Sequence, residues 1–385
     1  MVSDLLRVCM LSMLSALAGW IGWSGHVLLL PVTLAFPAIW SCARTRPQAA
    51  LFAAAYFLSA SRGLPLGVAN YYASDIRAGL LLWLIASVSF VIVHCTLWNS
   101  RCNWQKPVRY LIACLVMAIP PFGLMGWAHP ITAAGVLFPG WGWLGLCAMI
   151  AGMGVMTTRR WPAATIVLTG LWLWSAAGWT TPTSPASWQG VDLEMGASLG
   201  RVAGLARQEA LVDILRKHPP GTTVVFPESA LGFWTPTVSR LWRRQLAGSN
   251  IVGIAGAAIV NDDGYDNVLV SLSPQEGKVL YRSRMPVPGS MWQPWRALAG
   301  GGGARADFFA NPVVNVGGVK IAPLICYEQL LVWPILQSAL HGPEAIVAVG
   351  NGWWTAGTSV IDIQRASSQA WARLFDLPLV ISFNT

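Results

Sequence analysis

The stretch Lys320-Ile-Ala-Pro-Leu-Ile-Cys326-Tyr-Glu328 predicts an apolar strand that ends at a cysteine, with a helical pattern over 328–340 after it. A sharp strand-to-helix turn exposes a sulfur and directs backbone N–H groups at it, which lowers the pKa of a thiol and forms an oxyanion hole. Cys326 is the only cysteine after residue 181, so no disulfide can form within that half of the chain. For a single cysteine, burial as a small apolar residue is the open alternative.

A carboxyl group follows a second apolar strand about 100 residues earlier, in Val224-Val-Phe-Pro-Glu228. This places Glu228 at the carboxyl end of a strand, where sheets present functional groups. A solvated loop glutamate is the alternative. Only the fold can bring Glu228 and Cys326 together.

Short apolar strands alternate with helical patterns from residue 189 onward, which is typical of a layered α/β domain. A helix is predicted over 204–217, and Asp262-Asp263-Gly264 predicts a hairpin turn. The predicted strands are 191–195, 224–226, 251–260, 268–272, 279–281, 319–326 and 345–349. Residues 182–188 form a Thr/Pro/Ser-rich linker, and 300–303 a flexible loop. The sequence shows no phosphate loop or metal-ligand spacing, so we expect no cofactor and no metal.

Residues 1–181 have a different composition, with Asp4 and Asp75 as the only acids before residue 181, against ten Lys/Arg. They predict a transmembrane helical bundle of about seven spans, each of roughly 20 residues. The expected spans are 5–24, 26–43, 48–66, 78–98, 109–127, 132–156 and 163–181. The first resembles a signal peptide, but more spans follow it directly, which favours an uncleaved helix.

The basic residues of this half indicate its orientation, because cytoplasmic loops retain Lys and Arg. The bases on the richer side are Arg7, Arg44, Arg46, Arg101, Lys106, Arg109, Arg159 and Arg160. If the richer side is cytoplasmic, the amino terminus lies in the cytoplasm. An odd number of spans then places residues 189–385 on the periplasmic side of the inner membrane of a Gram-negative bacterium. The positive charge is spread between apolar runs, so we expect no nucleic-acid binding.

Several motifs resemble, in order, those of the nitrilase (carbon–nitrogen hydrolase) superfamily. They are Phe226-Pro-Glu-Ser229, Asn267 through Tyr281-Arg-Ser-Arg284 to Val287-Pro288, Cys326-Tyr-Glu328, Asn351-Gly-Trp-Trp354, and Gln364 to Arg373 with Ser382-Phe-Asn-Thr385. With the multi-span half, the chain resembles the apolipoprotein N-acyltransferases, and Arg284 to Trp292 resembles the conjugal transfer branch. The resemblance implies an αββα sandwich domain beside the membrane bundle.

The resemblance also implies catalytic roles. Glu228 is the expected base and Cys326 the nucleophile, while Ser283 stands where the family has a lysine. Arg282 or Arg284 is then the candidate cation for the tetrahedral oxyanion.

Further residues are expected to support the site. The Tyr327 backbone N–H is a second oxyanion donor, and Glu328 either supports the site or caps the next helix. One loop carries Met291, Trp292 and Trp295, and Met291 stands where the acyltransferases usually have Glu. This loop either closes the pocket, lies over the bilayer edge or only packs against the domain. Asn351 and Trp353 either line the pocket or pack in a turn.

Two functions follow. The first is an acyltransferase or amidase that forms a Cys326 thioester, with a membrane phospholipid as acyl donor and a lipoprotein or amine as acceptor. The second is a non-catalytic membrane component whose partners are conjugation proteins. A Cys–His hydrolase is a weaker alternative because His218 and His341 lie in turn sequences, and a transporter is disfavoured by the lack of charge inside the spans.

Overall fold

The computed structural model describes residues 2–100, 104–196, 204–262, 264–297 and 302–385. The chain forms two compact units. The helical unit comprises Met1–Thr181, Leu330–Trp333 and Gly357–Asp376, and the sheet unit comprises Pro182–Gln329, Pro334–Ala356 and Leu377–Thr385. Two segments from the second half of the chain, Leu330–Trp333 and Gly357–Asp376, thus belong to the helical unit.

Helices of mixed length build the helical unit. They are α1 (Val2–Gly22), α2 (Ala35–Ser41), α3 (Arg46–Ala60), α4 (Leu64–Tyr72), α5 (Ile76–Leu97), α6 (Gln105–Ala118), α7 (Ala134–Leu137), α8 (Gly142–Met156), α9 (Trp161–Ala177) and α14 (Val360–Phe375). Short 3-10 helices at Val27–Leu34, Phe122–Met125 and Pro130–Ala133 connect some of them.

Two described helices, α1 and α5, are long and apolar enough to cross a membrane. The pair α3 and α4 would add a third, but it is bent by 51° at a break that precedes Pro65. Prolines lie within two other predicted spans, at Pro31 and at Pro120-Pro121, where they remove backbone donors. The predicted span 163–181 corresponds to the shorter helix α9. Only two of the seven predicted segments therefore coincide with single helices of spanning length among the described residues, and the multi-span bundle stays a prediction.

Helix α14 packs closely on α7 within the helical unit. A Cβ atom added at Gly135 would lie 1.7 Å from the Ala370 carbonyl oxygen, so only glycine permits this approach. The backbone N–H of Gly140 also donates to the Arg373 carbonyl at 2.7 Å. Residues near the carboxyl end of the chain thus complete a unit that begins at its amino end.

Two sheets build the sheet unit. The strands are β1 (Trp188–Gly190), β2 (Thr223–Val225), β3 (Val252–Asn261), β4 (Gly264–Leu272), β5 (Gly277–Arg282), β6 (Gly303–Ala304), β7 (Val314–Val316), β8 (Val319–Ile325), β9 (Ala345–Asn351) and β10 (Leu379–Asn384). The first sheet has the order β1-β2-β3-β4-β5, with β6 beside β4, and the second has the order β10-β9-β8-β7. In each sheet a parallel part, β1-β2-β3 or β10-β9-β8, adjoins antiparallel pairs.

Apolar side chains from both sheets share one core. Ile254 and Leu269 of the first sheet cluster with Ile321 and Val347 of the second. On the other face of the first sheet, helices α10 (Leu205–Arg216) and α11 (Pro236–Gln245) contribute Leu215 and Trp242 to a second cluster. The layers are those of a nitrilase-like sandwich.

Most predicted elements of this unit are confirmed, including the helix at 204–217, observed as α10. The predicted strand at 191–195 is wrong, because regular pairing ends at Gly190 and Leu193 forms only an isolated bridge with Asn384. The predicted helix at 328–340 divides into a 3-10 helix, Cys326–Leu330, and α13 (Val332–Ala339).

Two loop predictions fall partly outside the described residues. Strands β3 and β4 do form an antiparallel hairpin, with Asn261 opposite Gly264, although Asp263 of the predicted turn is not among the described residues. Residues 300 and 301 of the predicted glycine loop, and Arg101, lie outside them as well. The short helix α12 (Pro294–Ala297) precedes that loop.

Candidate active site

Cys326 lies at the strand-to-helix turn that its sequence predicts. It follows β8 directly and begins the 3-10 helix Cys326–Leu330. Its φ of +49° is in the left-handed region, which is strained for a residue with a side chain. Such a turn directs the sulfur away from the strand axis, toward the ends of neighbouring strands.

Glu228 lies just beyond β2, after Phe226 and Pro227, and is 4% exposed. The turn that carries it is tight, since the next residue, Ser229, has a φ of +60°. Gly256 of β3 makes this turn sterically accessible, because a Cβ atom there would lie 2.4 Å from the Glu228 Cα. The fold therefore fixes the carboxyl group at the carboxyl ends of β2 and β8.

The carboxyl group of Glu228 is brought together with Cys326. Burial raises the pKa of Glu228 to about 7. Hydrogen bonds from Asn267, from Cys326 and from the Asn351 backbone lower this pKa, but by less than burial raises it. The Asn267 amide donates to Oε1 at 2.6 Å, while the buried Oε2 makes no hydrogen bond with the described residues. A carboxyl group that titrates near neutrality beside a thiol is suited to accept the thiol proton.

Asparagine side chains at the ends of β9 and β10 close the site from one side. The Asn384 amide donates to Asn351 Oδ1 at 2.7 Å, and the Trp354 indole donates to the Asn351 carbonyl at 2.9 Å. The Asn351 backbone also hydrogen-bonds to Glu228, so Asn351 lies beside that carboxyl group. Trp353 lies next to it in the 3-10 helix Trp353–Thr355 and is partly buried.

A second carboxyl group, Glu328, is fully buried and densely hydrogen-bonded. Its Oε1 accepts from the backbone N–H groups of Arg284 at 2.6 Å and Met285 at 3.0 Å, and Oε2 accepts from the Ile325 N–H at 2.8 Å. The Tyr281 hydroxyl donates to the same carboxyl group at 2.8 Å. Burial raises the pKa of Tyr281, so its hydroxyl stays a donor. Glu328 thus connects the end of β8 to the chain after β5.

The two arginines that are candidates for the oxyanion role bind other groups. The fully buried guanidinium of Arg284 donates to Tyr281 Oη, Gln337 Oε1, Pro323 O and Ser338 Oγ. Arg282 forms an ion pair with Asp266, which also binds Arg305. Neither donates a hydrogen bond to Cys326 among the described residues, because other acceptors occupy both cations.

Ser283 stands at the position of the family lysine and is buried. Its hydroxyl donates weakly to Glu328 Oε1 at 3.3 Å, and its backbone N–H donates to the Asn267 carbonyl at 2.7 Å. The serine therefore adds no charge to the Glu228 and Cys326 pair. The Tyr327 side chain is half-buried, and desolvation raises the pKa of its hydroxyl. The role predicted for its backbone N–H stays a prediction.

The loop that carries Met291 and Trp292 is a compact turn. The backbone N–H groups of Met291 and Trp292 both donate to the Val287 carbonyl at 3.0 Å, and the Trp292 ring contacts the Phe308 ring edge-on at 5.5 Å. Trp295 is 57% exposed. Packing therefore accounts for Trp292, and Trp295 keeps a free apolar surface.

The two histidines of this half have local roles. The Nδ1 atoms of His218 and His341 lie 3.0 Å from the carbonyls of Ile214 and Gln337, each one helical turn earlier. These contacts give no support to a Cys–His hydrolase.

Asn267 was not among the candidate site residues predicted from the sequence. Its position in a family motif, as a polar residue on a mostly apolar strand, could have indicated its role.

A sequence model described as carbon–nitrogen hydrolase matches residues 58–373. The chain therefore belongs to the carbon–nitrogen hydrolase family, as its fold and its Glu228 and Cys326 pair indicate. Within that family it is 61% identical, over 365 residues, to the probable conjugal transfer protein TraB of Sinorhizobium fredii, covering 94% of each chain. It is 54% identical, over 398 residues, to the conjugal transfer protein TraB of Agrobacterium fabrum, covering 100% of this chain and 94% of the relative. Among solved structures, it is similar to an amidase from Nesterenkonia sp., with 12% identity, a TM-score of 0.36 and coverage of 51% of this chain and 75% of that one.

Proposed function

We propose that the protein is a cysteine-dependent acyl-transfer enzyme, an N-acyltransferase or amidase, that acts at the periplasmic face of the bacterial inner membrane in support of conjugal transfer. The observation that carries this proposal is the meeting of Cys326 with Glu228, whose pKa burial raises to about 7. The names of the TraB relatives support the link to conjugation.

In the proposed reaction Glu228 takes the proton of the Cys326 thiol while the sulfur attacks the carbonyl carbon of the acyl donor. The tetrahedral intermediate collapses, the bond to the leaving oxygen or nitrogen breaks, and Glu228 returns the proton to the leaving group. The acyl group then remains on Cys326 as a thioester. An amine or water gives its proton to Glu228, attacks the thioester carbon and releases the thiolate, which is reprotonated.

In the proposed reaction, neutral hydrogen-bond donors stabilise the oxyanion. Arg282 and Arg284 are bound elsewhere and Ser283 replaces the family lysine. We assign the oxyanion to the backbone N–H of Tyr327, which follows the nucleophile in the strained turn. Because one missing donor costs about 10²–10³ in rate, we expect a slow enzyme.

The membrane location rests on composition and on the helical unit. Helices α1 and α5 have spanning length, and residues 1–181 have ten bases and two acids by sequence. We propose that 1–181 is embedded with a cytoplasmic amino terminus, that 182–188 is a linker and that 189–385 faces the periplasm. A phospholipid would then be the acyl donor and a lipoprotein or small amine the acceptor.

A second candidate is a non-catalytic membrane component that supports conjugation proteins. The observation that favours it is that the two candidate oxyanion arginines, Arg282 and Arg284, bind other groups. The experiment must therefore separate chemistry from assembly.

The test combines intact-mass analysis of the full-length protein from its native membrane with conjugation frequency. We expect an acyl adduct that hydroxylamine removes, and that is lost in Cys326→Ala and Glu228→Gln. The matched control Cys147→Ala, in the exposed part of α8, should retain it. Wild-type conjugation by Cys326→Ala, with no adduct on the wild-type protein, would establish the non-catalytic alternative instead.

A further inference from the structure

A cavity of about 460 Å³ lies in the helical unit, apart from Cys326 and Glu228 in sequence and function. It is lined by Arg46, Trp98, Asn99, Ser100, Gln105 and Arg109. Its volume is within the range of small-molecule sites. The lining residues lie where α3 and α6 begin and α5 ends, and every one of their side chains carries a hydrogen-bond donor.

The two arginines of this cavity are not paired with an acid among the described residues. Neither guanidinium forms an ion pair or a hydrogen bond with the described residues. Asp4 and Asp75, the only acids of residues 1–181, pair with Arg44 and Arg77. Two cations that converge on one cavity repel each other unless an anion joins them.

Trp98 provides an independent indication of a ligand. Its side chain is 5% exposed, and its buried indole N–H makes no hydrogen bond within the described structure. A buried donor without an acceptor costs free energy that a ligand oxygen would recover. The Lys106 ammonium lies 5.9 Å from the centre of the Trp98 ring, which adds a third positive charge nearby.

The helix ends add to the preference for an anion. Arg46 is the first residue of α3, and Gln105 is the first residue of α6. Helix amino termini carry partial positive charge, and two of them outweigh the opposing carboxyl end of α5. Guanidinium groups bind the oxygens of phosphate in a bidentate manner.

We propose that this cavity binds a phosphate group between Arg46 and Arg109, with the Trp98 indole as a further donor. The phosphate belongs either to an anionic phospholipid headgroup or to a soluble phosphate compound. This inference does not depend on acyl transfer, since none of its residues belongs to the Cys326 site.

The test measures binding to the full-length protein in detergent micelles. The probes are dihexanoyl-phosphatidylglycerol, dihexanoyl-phosphatidylcholine and inorganic phosphate, each at constant ionic strength. We expect Arg46→Gln and Arg109→Gln each to raise the Kd about tenfold, and Trp98→Phe, which keeps an aromatic ring, to raise it severalfold. Arg160→Gln removes the same charge outside this cavity and should leave the Kd unchanged.

The probes distinguish the source of the phosphate. Saturable, arginine-dependent binding of phosphatidylglycerol alone assigns a lipid headgroup, and equal binding of inorganic phosphate assigns a soluble ligand. Binding that is the same in Arg160→Gln and in the two cavity variants, or no saturable binding of any probe, would overturn the proposal. Trp98→Phe keeps the test decisive if an arginine variant fails to fold.

Discussion

Glu228 and Glu328 are both buried in the sheet unit, yet their hydrogen bonding differs. Both oxygens of Glu328 accept bonds from backbone N–H groups. No backbone N–H group is bonded to Oε2 of Glu228 among the described residues, and its Oε1 accepts from the Asn267 amide. Hydrogen bonds from Asn267, Cys326 and the Asn351 backbone only partly offset burial, which raises the pKa of Glu228 to about 7. The comparison teaches that the number of donors, rather than burial alone, separates a structural carboxyl group from one suited to proton transfer.

The largest expected effect is on stability at Glu328. Glu328→Gln places an amide N–H₂ where backbone N–H groups now donate, and should destabilise the protein by about 3–5 kcal/mol. The midpoint of thermal unfolding of the full-length protein checks this. Glu276→Gln, at an exposed glutamate, is the control. A midpoint equal to that of the control would mean that the Glu328 network contributes little.

In contrast to Glu328→Gln, Glu228→Gln should stabilise the protein, and only at higher pH. Because the folded-state pKa is raised from 4.5 to about 7, the folded protein binds more protons between these values, and its stability falls as the pH rises through that window. Above pH 7 the variant escapes a cost of up to about 3 kcal/mol, while at pH 4 the two proteins should be similar. Unfolding midpoints at pH 4 and pH 8 measure the difference, and a variant less stable at pH 8 would contradict the assignment.

Asn267→Leu should produce a smaller shift in reactivity. Its amide bond lowers the pKa of Glu228, so its loss should raise that pKa by about one unit. We expect iodoacetamide labelling of Cys326, followed by mass spectrometry, to increase through about pH 7 in the wild type and about one unit higher in Asn267→Leu. Asn315→Leu, at the exposed middle position of β7, controls for the substitution. Identical profiles would remove Asn267 from the site.

The smallest effect is expected at Ser283. Its bond to Glu328 is long, at 3.3 Å, and Glu328 keeps its other donors. Ser283→Ala should therefore change stability by less than about 1 kcal/mol, measured by the same thermal unfolding. A larger loss would show that this hydroxyl does more than fill the place of the family lysine.

The sequence predicts the positions of Glu228 and Cys326 at strand ends, but not the bonding partners of the arginines near them. Strand patterns and turn residues place Glu228 and Cys326 at strand ends, because a period of two and an abrupt helix start are local signals. Most partners of Arg282 and Arg284 are distant in sequence. Asp266 lies on the neighbouring strand, and Gln337 and Ser338 lie on α13, so only the folded chain shows that these cations are occupied.

The helical half shows a similar limit. Hydropathy identifies each apolar segment, but proline and glycine positions divide most of them into shorter helices, and the composition of a window of about 20 residues does not resolve such breaks. Helix α14 carries part of a family motif, from Gln364 to Arg373. No local pattern indicates that it belongs with helices encoded more than 180 residues earlier.

The late position of α14 has a consequence for biosynthesis. The surface of α7 around Gly135 is synthesised early, while the helix that covers it emerges from the ribosome only after β9 is complete. An apolar surface of the nascent helical unit therefore stays uncovered for most of translation. A premature stop codon after residue 356 would remove a helix from one unit and the strand β10 from the other, so a single late truncation would impair both.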